Sequence, residues 1–349
     1  MGLSKCNCEQ AGFCPAFARN MDNKNHQWCK NTTEEKRINY CRQNSGVYTE
    51  RVKKNRVAII LINYHPCGGV KTWCENLIPI IKDRTTGIGC INTPDESIAD
   101  LGIPFGSSES YLKNLCRNSD ILLAWGFSSI KKYSPKKTIF VHHGDETNVW
   151  SRDTIKNLDV VPEKIVSVNP IVAKQNGYQC IPNCVTENRC SKTIDRKSNT
   201  VLWGHRFTAE KRPELAIEIA KVMPDFKFLF CGNMPTEDHL NQINSLQNAQ
   251  YLGIKKNLSS LFEVSSVFLS TSEQESYGYS VAEAIRSGLP VVSTATGIAK
   301  DLADIKMEGT VPMDWAKAIR LCSGSFASGK EKIKDLNVKF QQDWRDLLC

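Results

Sequence analysis

At 349 residues the chain has room for about two ordinary domains, each with its own core. Its 41% hydrophobic and 23% charged residues are ordinary for a globular protein, and no apolar run reaches the roughly 20 residues that a membrane helix needs. The net charge of +8 is uneven: residues 1–56 hold 11 basic against 5 acidic side chains, whereas the remainder holds 34 against 32.

The first 56 residues therefore read as a basic arm on a nearly neutral body, the kind of segment that meets nucleic acid or another anionic surface. Five of the fifteen cysteines fall here: Cys6, Cys8, Cys14, Cys29 and Cys41, with His26 close to Cys29. The N-terminus shows no signal-peptide core, so a cytoplasmic, reducing location is expected, and the odd cysteine total argues against a disulfide framework. Cys6, Cys8, Cys14 and Cys29 form the expected zinc set, with His26 or Cys41 as substitutes. An arm this poor in aliphatic residues would draw its folding free energy from the metal. An iron–sulfur cluster or unliganded thiols are the alternatives.

Val57–Ile62 is a continuous apolar run, and Val57–Asn63 reads as a buried parallel strand. It passes through Gly68-Gly69 into a predicted helix over 70–81, the opening unit of a doubly wound domain, without the G-x-G-x-x-G of dinucleotide sites. Further strands are expected at Ile121–Trp125, Thr138–His142 and Lys164–Val168. His142-His143-Gly144 closes the second of these, at the strand end where ligand groups collect in such sheets, and Asp145 and Glu146 follow at once.

A second βαβ unit begins with Val201–Gly204 and continues through a helix ending near Met223 to the strand Phe226–Cys231. Between them lie Arg206 and Lys211, with Pro213 suited to the first turn of the helix. An isolated loop arginine and lysine are ordinarily solvated, although the planar fork of Arg206 and the compact charge of Lys211 are both of a kind that holds anions.

The run Glu275-Ser-Tyr-Gly-Tyr-Ser-Val-Ala-Glu283 then sets two carboxylates around a glycine turn. A helix is expected to begin near Ser280, since Gly278 breaks any earlier one and serine caps well. Glu275 then precedes the helix and Glu283 lies one turn inside it, so the two can line opposite sides of a pocket floored by free helix N–H groups. The bland reading of Ser280-x-x-Glu283 is a capping box. Gly288 and Pro290 stop the helix before the strand Pro290–Thr294, and Thr296-Gly297 follows as another point of close backbone approach. The segment from Lys330 to Leu348 has helical periodicity.

Glu275 to Glu283, continued by Ala284-Ile-Arg-Ser-Gly288-Leu-Pro290-Val291, resembles the donor-site signature of glycosyltransferase family 4, a family of GT-B fold. The resemblance covers roughly 57–349 and is strongest over 200–297. It implies two Rossmann-like domains facing a cleft: an acceptor domain at 57–190, a nucleotide-sugar domain at 191–330, and a last helix at 331–349 crossing back, all behind the arm of 1–56. Gly204-His-Arg206 through Lys211 is similar to the family's G-R-x-x-x-x-K loop, displaced by one through His205, and Ile181-Pro-Asn183-Cys-Val185 to its interdomain passage, with Cys184 for glycine.

By that resemblance Gly69 admits the donor diphosphate, and Gly253 marks the turn beside the nucleotide base. Gly278, Tyr279 and Ser280 border the donor, Glu283 accepts ribose hydroxyls, and Glu275 holds the sugar. His142, or His143 as its near equal, stands by the reacting centre; Arg206 and Lys211 meet the leaving charge. The implied reaction is retaining transfer from a nucleotide-diphosphate sugar without a catalytic metal, since the chain has no Asp-x-Asp motif. Cysteine-rich starts are similar to those of phage-type glycosyltransferases, and so a modified base in DNA is one expected acceptor, reached by base flipping and gripped by the arm. A glycan, lipid-linked or small-molecule acceptor is the alternative. An epimerase on the same fold, and a non-catalytic nucleotide-sugar or zinc interaction protein, are the readings of other classes.

Overall fold

A computed structural model describes residues 55–64, 68–92, 96–144, 149–195 and 198–348. The cysteine-rich arm, with Cys6, Cys8, Cys14, Cys29 and the alternatives His26 and Cys41, lies outside the described residues, as do Asp145 and Glu146. Asn55–Cys349 form one compact unit.

Seven strands build the first sheet: β1 (Val57–Leu61), β2 (Thr85–Cys90), β3 (Phe105–Gly106), β4 (Ile121–Trp125), β5 (Thr138–His142), β6 (Lys164–Ser167) and β7 (Gln179–Cys180). Their order is β3-β2-β1-β4-β5-β6-β7, and each recorded pairing is parallel. Helices α1 (Gly69–Ile81), α2 (Glu109–Arg117), α3 (Val149–Lys156) and α4 (Pro170–Asn176) connect them. β1 is buried along its whole length, which accounts for its unbroken apolar sequence: both faces are covered by helices, so no polar alternation is needed.

The second sheet holds β8 (Thr200–Gly204), β9 (Lys227–Cys231), β10 (Ala249–Tyr251), β11 (Val267–Ser270), β12 (Val291–Thr294) and β13 (Ile305–Met307), in the order β10-β9-β8-β11-β12-β13 and again parallel. Around it lie α5 (Pro213–Lys221), α6 (Glu237–Asn244), α7 (Ser259–Glu263), α8 (Tyr279–Ser287), α9 (Ala299–Leu302) and α10 (Pro312–Cys322). In each sheet the strand order reverses at one place, between β1 and β4 and between β8 and β11. Open parallel sheets bind ligands outside the carboxyl ends of their strands at such reversals.

The last helix, α11 (Lys330–Leu348), is shared between the two cores. Its Ile333 packs in the core under α8, whereas Phe340, Trp344 and Leu348 lie in the core of the first sheet. Trp344 is fully buried with its ring edge-on to Trp73 of α1 at 5.7 Å. No helix among the described residues is long and apolar enough to cross a membrane.

Candidate functional site

The two strand-order reversals face a single cavity of about 1260 Å³. From the first domain, Asn63 and Gly68–Thr72 follow β1, Trp125 ends β4, and His143 follows β5. The second contributes Gly204 at the end of β8, His205, Arg206, Glu210 and Lys211 after it, and Gln274–Ser280 with Glu283 after β11. Drug-sized ligands occupy pockets of about 300–1,000 Å³, so the space exceeds what one such molecule needs.

α8 starts at the edge of the cavity. It begins at Tyr279, one residue before the position expected from serine capping, because Gly278 enters it at φ 87° and ψ 64° and itself takes the cap position. No side chain caps it, so the helix tip offers backbone N–H groups toward the cleft. Ser280 is inside the helix and Glu283 turns to Arg189, so the capping box is not formed.

Loop 204–212 is laced to the strand end beside it. Trp203 Nε1 donates to Thr271 Oγ1 at 2.9 Å, Thr271 Oγ1 donates to the Lys211 carbonyl at 2.6 Å, and Arg212 Nε donates to the Thr271 carbonyl at 2.6 Å. This carries Lys211 into the cleft, where its Nζ is 2.9 Å from Glu275 Oε1 and donates to the Gln274 carbonyl at 3.1 Å. Ser272 Oγ donates to the same Glu275 oxygen at 3.0 Å, and His205 Nδ1 is 3.9 Å away. Burial brings His205 down to about 4, against the opposing pull of Glu275, so its ring is neutral at pH 7. Arg206 lines the cleft with an exposed side chain that reaches Glu210 at 3.2 Å. Gly297 does not border the cavity: a Cβ there would sit 2.5 Å from the Tyr277 carbonyl, so its close approach supports the Glu275–Tyr277 loop from behind.

Glu283 is almost completely buried, and burial raises its carboxyl to about 7, with Arg189 opposing and Glu75 adding to the rise. Arg189 Nη1 is 3.3 Å from Glu283 Oε1, while its Nη2 is 2.7 Å from Glu75 Oε2 on α1. Arg189, Glu75 and Lys71 were not among the residues the sequence singled out. Arg189 sits in a short turn, Glu187–Arg189, whose sequence has no periodicity to mark it, and only its place just after the Ile181–Val185 passage hints at the cleft.

Of the residues singled out, Gly69, Arg206, Lys211, Glu275, Gly278, Tyr279, Ser280 and Glu283 border the cavity; His142 and Gly253 do not. Of the histidine pair it is His143 that faces the cleft. His142 ends β5 on the opposite face of the sheet, 1% exposed, with Nδ1 3.5 Å from Ser167 Oγ. His143 stands edge-on to Trp73 at 5.1 Å and to Trp125 at 5.9 Å. Burial, with a smaller effect of His142, lowers it to about 3, so its imidazole is neutral. Gly69 packs against the Tyr279 ring, where an added Cβ would be 3.5 Å from it. Among the described residues no group of three or more His, Cys, Asp or Glu could hold a metal ion.

Residues 185–311 match the family model described as Glycosyl transferases group 1, which covers the second sheet and every second-domain residue of the cleft. The GtfA subunit of the UDP-N-acetylglucosamine–peptide N-acetylglucosaminyltransferase of Streptococcus agalactiae is 26% identical over 221 residues, 61% of this chain and 41% of its own length. The 2-deoxystreptamine N-acetyl-D-glucosaminyltransferase of Niallia circulans is 24% identical over 168 residues, 42% of this chain and 43% of its own. The chain thus spans about two fifths of the length of these curated relatives. Among solved structures, Anabaena HepE in complex with UDP and glucose superposes with a TM-score of 0.67 at 16% identity, covering 84% of this chain and 99% of that one. WaaG, a glycosyltransferase involved in lipopolysaccharide biosynthesis, gives 0.62 at 12% identity over 84% of this chain and 99% of its own. The fold is that of the GT-B glycosyltransferases. Within it, residues 185–311 form a glycosyltransferase group 1 domain.

Proposed function

We propose that the protein transfers a sugar from a nucleotide-diphosphate sugar to an acceptor, with retention and without a catalytic metal. One observation carries the reading: Lys211, Glu275, the uncapped α8 tip and Glu283 follow the strand ends at one sheet's reversal and face the other across the cleft. The neighbour that binds UDP and glucose shares this fold and supports a donor of that class.

In this account the departing diphosphate lies against the N–H groups at Tyr279 and Ser280, with Lys211 and Arg206 adding positive charge. Glu283 accepts the ribose hydroxyls, and Glu275 holds sugar hydroxyls and faces the positive charge that develops at the anomeric carbon. The bond from that carbon to the phosphate oxygen breaks with its electron pair on the phosphate. The acceptor oxygen or nitrogen bonds to the same face, and its proton passes to the released phosphate. His143, neutral and cleft-facing, takes the place beside the reacting sugar, for which the sequence favoured His142 with His143 as its near equal.

For the acceptor we propose a modified base in DNA, supported by the +6 charge and cysteine cluster of the arm, a zinc-held module in this reading. A glycan, peptide or small-molecule acceptor is the second reading. It is favoured by the relatives, whose names give a peptide and 2-deoxystreptamine as acceptors. The test is incubation with a panel of nucleotide-sugars and acceptors, hydroxymethylated DNA included, followed by mass spectrometry. Gain of one sugar residue on an acceptor with release of nucleoside diphosphate is expected. A donor altered in its sugar without any transfer would identify an epimerase instead, and no reaction or binding with any donor would refute the proposal.

A further inference from the structure

Glu283 sits in a chain of charges that crosses from one domain to the other. Lys71 and Glu75 belong to α1 of the first domain, with Lys71 Nζ 3.8 Å from Glu75 Oε1 and donating to Ser97 Oγ at 3.1 Å. Glu75 Oε2 holds one edge of the Arg189 guanidinium at 2.7 Å, and the other edge faces Glu283 Oε1 of α8 at 3.3 Å. α1 also meets the second domain at Gly69, against the Tyr279 ring, and its Asn76 Nδ2 donates to the Cys184 carbonyl of the interdomain passage at 2.6 Å. Arg189, Lys71 and Glu283 border the cavity, whereas Glu75 does not. Glu75 can therefore influence a ligand only through its neighbours.

An arginine fork has two usable edges, and what occupies one decides what the other can do. With Glu75 in place, Arg189 meets Glu283 through a single nitrogen and leaves the second carboxylate oxygen to other donors. Without Glu75, the guanidinium keeps the Lys256 carbonyl, 3.4 Å from Nη1, besides Glu283, and can turn to pair with both carboxylate oxygens, the geometry that such pairs favour. Ribose hydroxyls would then compete against a bidentate ion pair.

We infer that Glu75 and Arg189 are positioning residues through which the acceptor domain holds the ribose-binding carboxylate of the donor domain open. The inference rests on the reading of Glu283 as the ribose acceptor. Donor affinity is thereby coupled to the seating of α1 against α8, although Glu75 touches no substrate.

The test is calorimetric titration of UDP, GDP, ADP and CDP into the full chain as wild type, Glu75→Gln, Glu283→Gln and the double variant, with circular dichroism to check folding. Glu75 is half-buried and the replacement is nearly isosteric, so a folded protein is expected. The nucleotide that wild type binds most tightly should bind Glu75→Gln about tenfold more weakly, the size of one charge-assisted hydrogen bond. Glu283→Gln should also bind it more weakly, and Glu75→Gln should add nothing in that background. Wild-type affinity in Glu75→Gln overturns the inference and leaves the donor reading standing. An equal loss in both backgrounds overturns it as well, because Glu75 would then act independently of Glu283. Failure of wild type to bind any of the four nucleotides, or undiminished binding by Glu283→Gln, overturns the donor reading and this inference with it.

Discussion

Gly278→Ala separates what the helix tip does for binding from what its backbone costs in stability. Gly278 has φ 87°, and the nearest atoms to an added Cβ are Glu275 Cγ, Ile298 Cγ2 and Val281 Cβ at 3.8 Å, so alanine brings strain without a clash. A left-handed alanine costs roughly 1–2 kcal/mol, and the stiffer unfolded chain offsets about 0.4–1 kcal/mol of that. The net loss is about 1 kcal/mol, or a fall of a few degrees in Tm for a protein of this size. Gly309 is the matched control: φ is 78° and nothing lies within 4 Å of an added Cβ. Gly309→Ala should lose a similar amount of stability and keep full nucleotide affinity. In Gly278→Ala the backbone must rotate to relieve the strain, which turns the N–H groups of Tyr279 and Ser280 away from a bound phosphate. Loss of one charge-assisted hydrogen bond of about 1.5 kcal/mol makes nucleoside diphosphate binding about tenfold weaker. Thermal unfolding and titration calorimetry on the two variants give both numbers. Equal stability losses with equal, undiminished affinities would refute the assignment of the helix tip to the phosphates.

Glu275→Gln should lower the rate of transfer at least about 100-fold while leaving Tm within a few degrees, since the carboxylate acts on charge that exists only during reaction. Lys211→Met should weaken diphosphate binding and slow transfer, measured as donor KM and kcat, because the charge 2.9 Å from Glu275 is lost from the cleft. His143→Ala should reduce kcat more than His142→Ala, because only His143 borders the cavity; the reverse ranking would restore the sequence-level choice. For Glu283 the folded carboxyl is raised to about 7 from 4.5, so between these values the native state keeps a proton that the unfolded chain has released. That contribution to stability is complete below about 4.5 and is lost as pH rises through about 7. Glu283→Gln should therefore show a flatter stability profile across this window, read by denaturation at each pH, and wild-type donor affinity should rise as the carboxylate ionises.

The fold was legible where burial on both faces wrote an apolar run, as in Val57–Leu61 and Ile121–Trp125. β2 was not, because Thr85-Thr-Gly-Ile-Gly-Cys90 reads as a turn. At Gly89 α2 packs so close that an added Cβ would displace the end of the Leu112 side chain. The helix after Glu275 was legible because Gly278 and Gly288 bracket it with left-handed entry and exit, a local requirement that sequence records directly. The histidine choice depended on strand parity. Ile139 and Val141 face the core that contains Trp73, and His143 continues on that side, while Phe140 and His142 alternate to the other. Nothing in the sequence reveals which face α1 will cover. Arg189 and Glu75, 114 residues apart, meet only through the packing of two domains, and no local pattern announces such a pair.

The most direct test is a crystal structure of the protein with its tightest-binding nucleoside diphosphate sugar. The account predicts the diphosphate within about 3 Å of Lys211 Nζ and of the Tyr279 and Ser280 N–H groups, with the ribose on Glu283 and the sugar against Glu275. A ligand bound away from the α8 tip, with Glu283 untouched, would contradict it.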